Sequence, residues 1–404
     1  VKILQLNVVS NSGSTGRIAE SIGKYIVIGN GESHIAYGRY GNPSSFSKTY
    51  RIGDKFDIYM HVLKTRFFDR HGFASKTATK RLIQEIDVIK PDLIQLHVIH
   101  GYYLNIEILF HYLSNLNIPI VWTFHDCWAF TGHCSHFVSI DCQKWQTHCN
   151  RCELISAYPK SYTDNSYSNF LKKRDLFNSV KNLTIVSPSS WILSEVNKSF
   201  FKGVRTVLIN NGINLEKFKP ILSNFLKLKF NFAKEIIILG VASTWDKRKG
   251  IDDFLRLAKK LDDRYRIIMV GLTEEQINKL PPDIIGITKT ESIEELAEYY
   301  SVADVFFNPT YEDTFPTTNI EALACGTPVV TYDVGGSPEI LDESTGVVVP
   351  KGNIDLVIEA INKINKKTTD YYSNNCRLRA EKKYNEEDNF KKYIDLYQKL
   401  INKE

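Results

Sequence analysis

The chain has 404 residues, 43% of them hydrophobic and 24% charged, with a formal net charge of +5 and a pI near 8.6. That length is too great for one ordinary domain and favours two, and the composition fits a soluble globular protein. So small a positive excess does not require a nucleic-acid partner, and no apolar run reaches the ~18 residues of a membrane-spanning helix. The charge is uneven: residues 1–220 hold 26 Lys and Arg against 16 Asp and Glu, the remainder 25 against 30. A basic first half suits an anionic membrane surface or a phosphate-bearing acceptor, and equally an unevenly charged solvated surface.

The opening stretch VKILQLNVVS reads as a strand. It lacks the basic region, apolar core and small-residue cleavage site of a secretion signal, so a cytoplasmic location is expected. GRIAESIGKYI then reads as a helix, ESHIAYG and DLIQLHV as strands, IEILFHYLSNL as a helix, and IPIVWTFHD, LTIVSPS and RTVLINNG as strands. Short Ile/Val-rich runs between amphipathic segments indicate parallel βαβ units. The pattern restarts with EIIILGVAS, followed by helix GIDDFLRLAKKL, strand YRIIMVGL, helix SIEELAEYYSVA and strand DVFFNPT. Helix TTNIEALACG, strands PVVTYDV and GVVVP, and helix NIDLVIEAINKI complete it. Two successive sets predict an α/β protein of two doubly wound domains, joined near Gly212 and Pro220. The expected bounds are 1–219 and 220–385, with 386–404 a terminal helix that packs on one of the two domains. Such domains, facing one another, form a central cleft that the carboxyl ends of their strands line.

The loop and helix after DVFFNPT carry two carboxylates, Asp313 and Glu321. Pro316 suits the first helical position, and the amides of Thr317, Thr318 and Asn319 then sit at the positive end of the helix dipole, an anion site suited to phosphate. Carboxylates on either side accept sugar hydroxyls, which together describes a nucleotide sugar. The same acidic residues also stabilise a helix start by ~0.3–1 kcal/mol with no ligand at all.

With NPTYE before it and GGSPEIL after it, DTFPTTNIEALACGTPVV resembles the signature of glycosyltransferase family 4, group 1 type. RKG at 248–250, ELAEYYSVADVFFNPT, NNGINLEKF and WTFHD extend the resemblance over most of the chain. It implies the GT-B fold, two Rossmann-like domains, the first on the acceptor side and the second binding the nucleotide sugar. It implies that Glu321 binds the ribose, and that Asp313 stands where the family has a glutamate contacting the donor sugar, with Glu312 as the neighbouring substitute. It implies that Lys249 binds the diphosphate and His125 reaches the donor sugar. Where the family often has an arginine, this chain has Thr244, so Arg248 is the candidate replacement. Gly13 and Gly16, in the loop SNSGSTGRIAE, allow close approach of backbone to phosphate or sugar.

The implied reaction is retaining transfer of a sugar from a nucleotide-diphosphate donor to a carbohydrate or lipid-linked acceptor, in capsule, exopolysaccharide or lipopolysaccharide synthesis. No Asp-x-Asp metal motif occurs, so no cofactor is expected in the chemistry. A nucleotide-sugar epimerase of related fold and a non-catalytic nucleotide-sugar-binding protein are the alternatives. Between residues 127 and 160, Cys134, Cys142, Cys149 and Cys152 form a cluster ending in C-x-x-C, which reads as a structural zinc site, with free or oxidised thiols as the alternative. From Lys48 to Leu82, nine Lys and Arg mix with six aromatics, a composition suited to peripheral contact with anionic lipid and also to an ordinary exposed helix-loop-helix.

Overall fold

In the computed structural model, which describes residues 1–223, 225–366 and 369–403, the chain forms two compact units. One comprises Val1–Asn210 with Phe390–Glu404, the other Asn211–Asn389.

The first unit holds seven strands: β1 (Lys2–Asn7), β2 (Glu32–Tyr37), β3 (Lys48–Arg51), β4 (Leu93–Leu96), β5 (Ile120–Thr123), β6 (Leu183–Ser187) and β7 (Arg205–Leu208). They lie in the order β3-β2-β1-β4-β5-β6-β7, and every pairing is parallel. Strands β1, β4, β5 and β6 are buried along nearly their whole length, as strands of a parallel sheet covered on both faces are. The edge strand β3, KTYR, is largely exposed, and was not among the strands expected from sequence. Charged edge strands carry no apolar alternation to betray them.

The second unit holds β8 (Ile236–Val241), β9 (Tyr265–Val270), β10 (Ile284–Ile287), β11 (Val305–Asn308), β12 (Val329–Tyr332) and β13 (Gly346–Val349). Their order is β10-β9-β8-β11-β12-β13, again all parallel. This is the doubly wound order 3-2-1-4-5-6, whose direction reverses between its first and fourth strands. The reversal falls between β8 and β11 here, and between β1 and β4 in the first unit. Chain leaving the carboxyl ends of those strands diverges and opens a crevice where ligands bind.

The last helix, Glu386–Asn402, begins in the second unit and continues into the first. Phe390, Tyr393, Leu396 and Tyr397 bury against β-strand residues Ile3, Leu93, Val121 and Val186. The Tyr397 hydroxyl donates to Gln95 Oε1 at 2.9 Å, and Tyr393 lies 3.2 Å from Thr123 Oγ1. The buried phenols are thus satisfied inside an apolar layer.

Candidate active site

In the second unit the site is built at the switch point. The loop after β8 runs through Asp246, whose side chain accepts from the Lys249 amide at 2.9 Å and caps the short 3-10 turn Lys247–Lys249. Gly250 ends that turn with φ +77, and a Cβ there would meet the Pro309 carbonyl oxygen at 2.3 Å. The Arg248 carbonyl accepts from the Tyr311 amide at 2.8 Å, so the loops after β8 and β11 are laced together. The consequence is chemical: Lys249 Nζ reaches Asp313 Oδ2 at 2.7 Å, with both side chains partly exposed.

Asp313 is held from other sides too. Its Oδ1 accepts from the Phe315 amide at 3.2 Å. Its carbonyl packs on Gly335, where φ is +56 and a Cβ would lie 1.9 Å from that oxygen. Glu312, by contrast, is buried, and it is Asp313 that faces Lys249. The helix that follows is Thr317–Ala324. Pro316 is its N-cap, with φ −67 and ψ 112, not its first helical residue as expected from sequence. Its φ already suits a helix, but its extended ψ moves the start one residue on. Asn319 N bonds back to the Pro316 carbonyl at 3.2 Å, which leaves Thr317 and Thr318, both partly exposed, as the first amides at the positive helix end. Glu321, one turn further, accepts from the Tyr300 hydroxyl at 2.9 Å. Burial and the nearby carboxylate push the Tyr300 phenol well above its usual pKa, so it stays a donor and fixes Glu321.

Arg248 is partly exposed, its Nε 3.9 Å from Asp246 Oδ2. Thr244 is exposed, whereas Trp245 is buried with its Nε1 donating to the Val270 carbonyl at 2.9 Å. Lys249, Arg248, Asp313, Thr317, Thr318 and Glu321 thus belong to the two facing loops and one helix at the switch point. A lysine paired with a carboxylate, on the loop that leads to a helix start, has the chemistry to meet a phosphate, and the carboxylates the chemistry to accept hydroxyls.

In the first unit, Gly13 opens the helix Gly13–Ile28 with φ +59 and nothing within 4 Å of a Cβ position. Gly16 packs close, a Cβ there lying 3.1 Å from Val9 Cγ2 and 3.2 Å from the Asn11 amide. His125 and Asp126 follow β5 at its carboxyl end. His125 Nε2 lies 3.1 Å from His97 Nδ1, and His97 Nε2 lies 3.0 Å from Gln5 Oε1. His100 Nε2 lies 2.7 Å from Asp126 Oδ2, and His100 Nδ1 lies 3.2 Å from the Tyr158 hydroxyl. Gln5, His97, His100 and Tyr158 were missed from sequence. The signal lay in LHVIHG, two histidines just beyond a buried strand at the switch point.

The zinc expectation is corrected. Among the described residues no group of three or more His, Cys, Asp or Glu side chains is placed to hold a metal ion, so a structural zinc on Cys134, Cys142, Cys149 and Cys152 is not supported. None of the seven cysteines is joined in a disulfide. Cys134 is buried and hydrogen-bonds to Cys152, which lowers the Cys152 pKa to about 7 and raises that of Cys134. Cys149 Sγ accepts from the Gly132 amide at 3.2 Å, and Cys142 packs at the edge of the apolar core. The thiols thus serve local hydrogen bonds and packing. Beside them Lys173 is fully buried, its Nζ donating to the Trp128 and Thr131 carbonyls at 2.8 and 3.1 Å, and desolvation lowers its pKa to about 7.

Comparison with known proteins bears on the family and the fold. A family model described as Glycosyltransferase Family 4 matches residues 32–217, and one described as Glycosyl transferases group 1 matches residues 234–367. WcaC of Escherichia coli (strain K12), a glycosyl transferase assigned to colanic acid biosynthesis, is 23% identical over 372 residues, 88% of each chain. The capsular polysaccharide biosynthesis glycosyltransferase CapM of Staphylococcus aureus is 25% identical over 188 residues, 43% of this chain and 49% of CapM. Among solved structures, sucrose-phosphate synthase of Thermosynechococcus elongatus superposes with a TM-score of 0.73 at 18% identity, covering 100% of both chains. HepE of Anabaena, solved with UDP-glucose, gives 0.66 at 15% identity over 98% of this chain and 99% of HepE. The WaaG glycosyltransferase of lipopolysaccharide biosynthesis gives 0.67 at 12% identity over 98% and 99%. The fold is GT-B, two Rossmann-like domains, and the chain belongs to the family 4, group 1 glycosyltransferases.

Proposed function

We propose that this protein transfers a sugar, with retention, from a nucleotide-diphosphate donor to a carbohydrate or lipid-linked acceptor, in the assembly of a surface polysaccharide. The observation that carries the reading is the Lys249–Asp313 pair, 2.7 Å apart, on the loops flanking the switch point and leading into the helix start at Thr317. As the anomeric bond breaks, negative charge grows on the departing diphosphate. Lys249, Arg248 and the amides of Thr317 and Thr318 are fixed donors that meet that charge, and such preorganised donors contribute most where charge develops. Glu321, held by Tyr300, accepts the ribose hydroxyls, and Asp313 accepts a hydroxyl of the donor sugar while orienting Lys249. In the first unit, the loop of Gly13 and Gly16 offers close backbone approach to phosphate or sugar, and His125 is the candidate sugar contact there. The polysaccharide setting is supported by the functions that WcaC and CapM are named for.

A thermal-shift screen with UDP, GDP, ADP and their sugars tests this. One nucleotide family should stabilise the wild type, and the shift should vanish in Lys249→Ala and Glu321→Ala. Equal shifts in all three proteins would refute the site.

Peripheral membrane contact belongs to the same proposal. No helix among the described residues is long and apolar enough to cross a membrane. The helix Lys55–Phe68 exposes Phe56, Tyr59, Phe67 and Phe68, with Lys55, Lys64 and Arg70 also exposed around them. Aromatic rings flanked by cations suit anionic headgroups. Co-sedimentation with anionic but not neutral vesicles is expected, and Phe67→Ser with Phe68→Ser should abolish it.

A further inference from the structure

The second unit carries a cavity of about 520 Å³ whose lining includes Arg256, Lys259, Lys260, Lys351, Gly352 and Asp355. That volume falls within the ~300–1,000 Å³ of small-molecule sites. None of Lys249, Asp313, Thr317 and Glu321 lines it. Four cations meet one carboxylate here, although residues 221–404 as a whole hold 25 Lys and Arg against 30 Asp and Glu. The carboxylate, Asp355, is itself met by Lys260 at 2.5 Å, so a positive excess remains. Arg256 lies in the helix Ile251–Ala258, with Lys259 and Lys260 just past its end. Lys351 comes from the loop between β13 and the helix Ile354–Asn365.

The cations are spread out and the backbone between them is open. From Arg256 to Lys260 is about 6 Å at helical rise, more than one tetrahedral anion spans and within reach of two linked phosphates. Gly352 has φ +77, and a Cβ there would come within 3.2 Å of the Tyr311 hydroxyl and 4.0 Å of Arg256 Nη2, so bare backbone forms this wall. Arg256 is anchored by the buried Asp253, and its Nη2 lies 3.5 Å from the Tyr311 hydroxyl. The fully buried Tyr332 hydroxyl, beside Arg256 and the Gly352 amide, has no well-formed hydrogen bond among the described residues. Burial raises the pKa of this phenol, so it keeps its proton as one more donor at the edge of the cavity. The helix Ile354–Asn365, whose Asn353 cap takes the Leu356 amide at 3.2 Å, adds its positive end. No aromatic side chain lines the cavity, and without such rings the cations suit a soluble ligand better than a lipid surface.

We propose that this cavity is a second anion site, separate from the donor site, which binds a soluble molecule carrying two linked phosphates. The site does not depend on the transferase reading.

Titration calorimetry with inorganic diphosphate tests it, on the wild type and on Lys249→Ala, which lacks the donor-site ammonium. Lys249→Ala should still bind one diphosphate per chain, and should bind monophosphate roughly tenfold more weakly. Adding Lys259→Glu and Lys351→Glu should weaken the diphosphate by roughly tenfold or more, since two attractions become repulsions. Lys259→Glu alone, at an exposed position, should shift affinity the same way, so the outcome does not hang on one variant. Loss of all diphosphate binding in Lys249→Ala would overturn the second site, and so would affinity unchanged in folded Lys259→Glu. Equal affinity for monophosphate and diphosphate would overturn the ligand class. Sedimentation with phosphatidic acid vesicles that Lys259→Glu abolishes, with no diphosphate bound in solution, would give the cations to a lipid headgroup and overturn the soluble ligand.

Discussion

Lys249 and Asp313 are 64 residues apart in the chain and share a hydrogen bond because two loops leave adjacent strands at the switch point. Removing the ammonium deprives both the diphosphate and the carboxylate of their counter-charge. Lys249→Ala should therefore lower turnover of the nucleotide sugar by roughly 10²-fold or more, the usual effect of losing one preorganised donor. Asp313→Asn keeps the shape and should cost less. Steady-state assays of both variants check the ranking. The histidines make a second prediction at this scale. Desolvation lowers His61 to about 3 and His125 to about 4, against an ordinary value of 6.5. Between 6.5 and the folded values the unfolded chain binds more protons, so stability falls as pH falls through this window. For His61 the linked loss is on the order of 5 kcal/mol, and His61→Gln should flatten the slope of denaturation midpoint against pH. A slope unchanged in that variant would contradict the assignment. Sequence made the carboxylates and the lysine legible because they lie in a contiguous motif. It did not decide between Glu312 and Asp313, since one points inward and the other outward only once the Gly335 contact fixes the turn. Gln5 and His97 were illegible because their roles depend on two strands being neighbours.

Loops and helix starts set the site at the next scale. Gly250 and Gly335 each have positive φ and each would drive a Cβ into a carbonyl oxygen, of Pro309 and of Asp313. A left-handed residue with a side chain costs ~1–2 kcal/mol before any clash. Gly335→Ala should cost about 2 kcal/mol or more in denaturant unfolding, and should also weaken nucleotide binding because it displaces Asp313. Loss of stability with unchanged affinity would separate the glycine from the site. Most strands and helices were legible from apolar runs and their punctuation. β3 and β10 were not, since short edge strands bury too little to show a period. The cysteine spacing brought thiols together, Cys134 onto Cys152, but spacing does not fix ligand geometry, and among the described residues no group of three or more is placed to hold a metal ion.

Two doubly wound units were legible at the scale of the whole molecule because the strand-helix alternation starts twice. Sequence led to a terminal helix packed on one of the two domains, but not to the strands it covers. Tyr393 and Tyr397 sit in the apolar layer of the first sheet, although the chain reaches them only after passing through the second unit. Tyr397→Ala removes a fully buried ring and leaves the Gln95 amide oxygen without its donor, so it should cost ~3–5 kcal/mol in the unfolding of the first unit. Hydrogen exchange should rise in β1 and β4 and remain unchanged in β8 and β11. Exchange rising equally in both sheets would contradict the division into units. The central claim concerns where a nucleotide sugar places its phosphates. A crystal structure of the protein with its stabilising nucleotide diphosphate measures that directly. The account predicts phosphate oxygens within hydrogen-bond distance of Lys249 Nζ and of the Thr317 or Thr318 amide; phosphates bound away from both would contradict it.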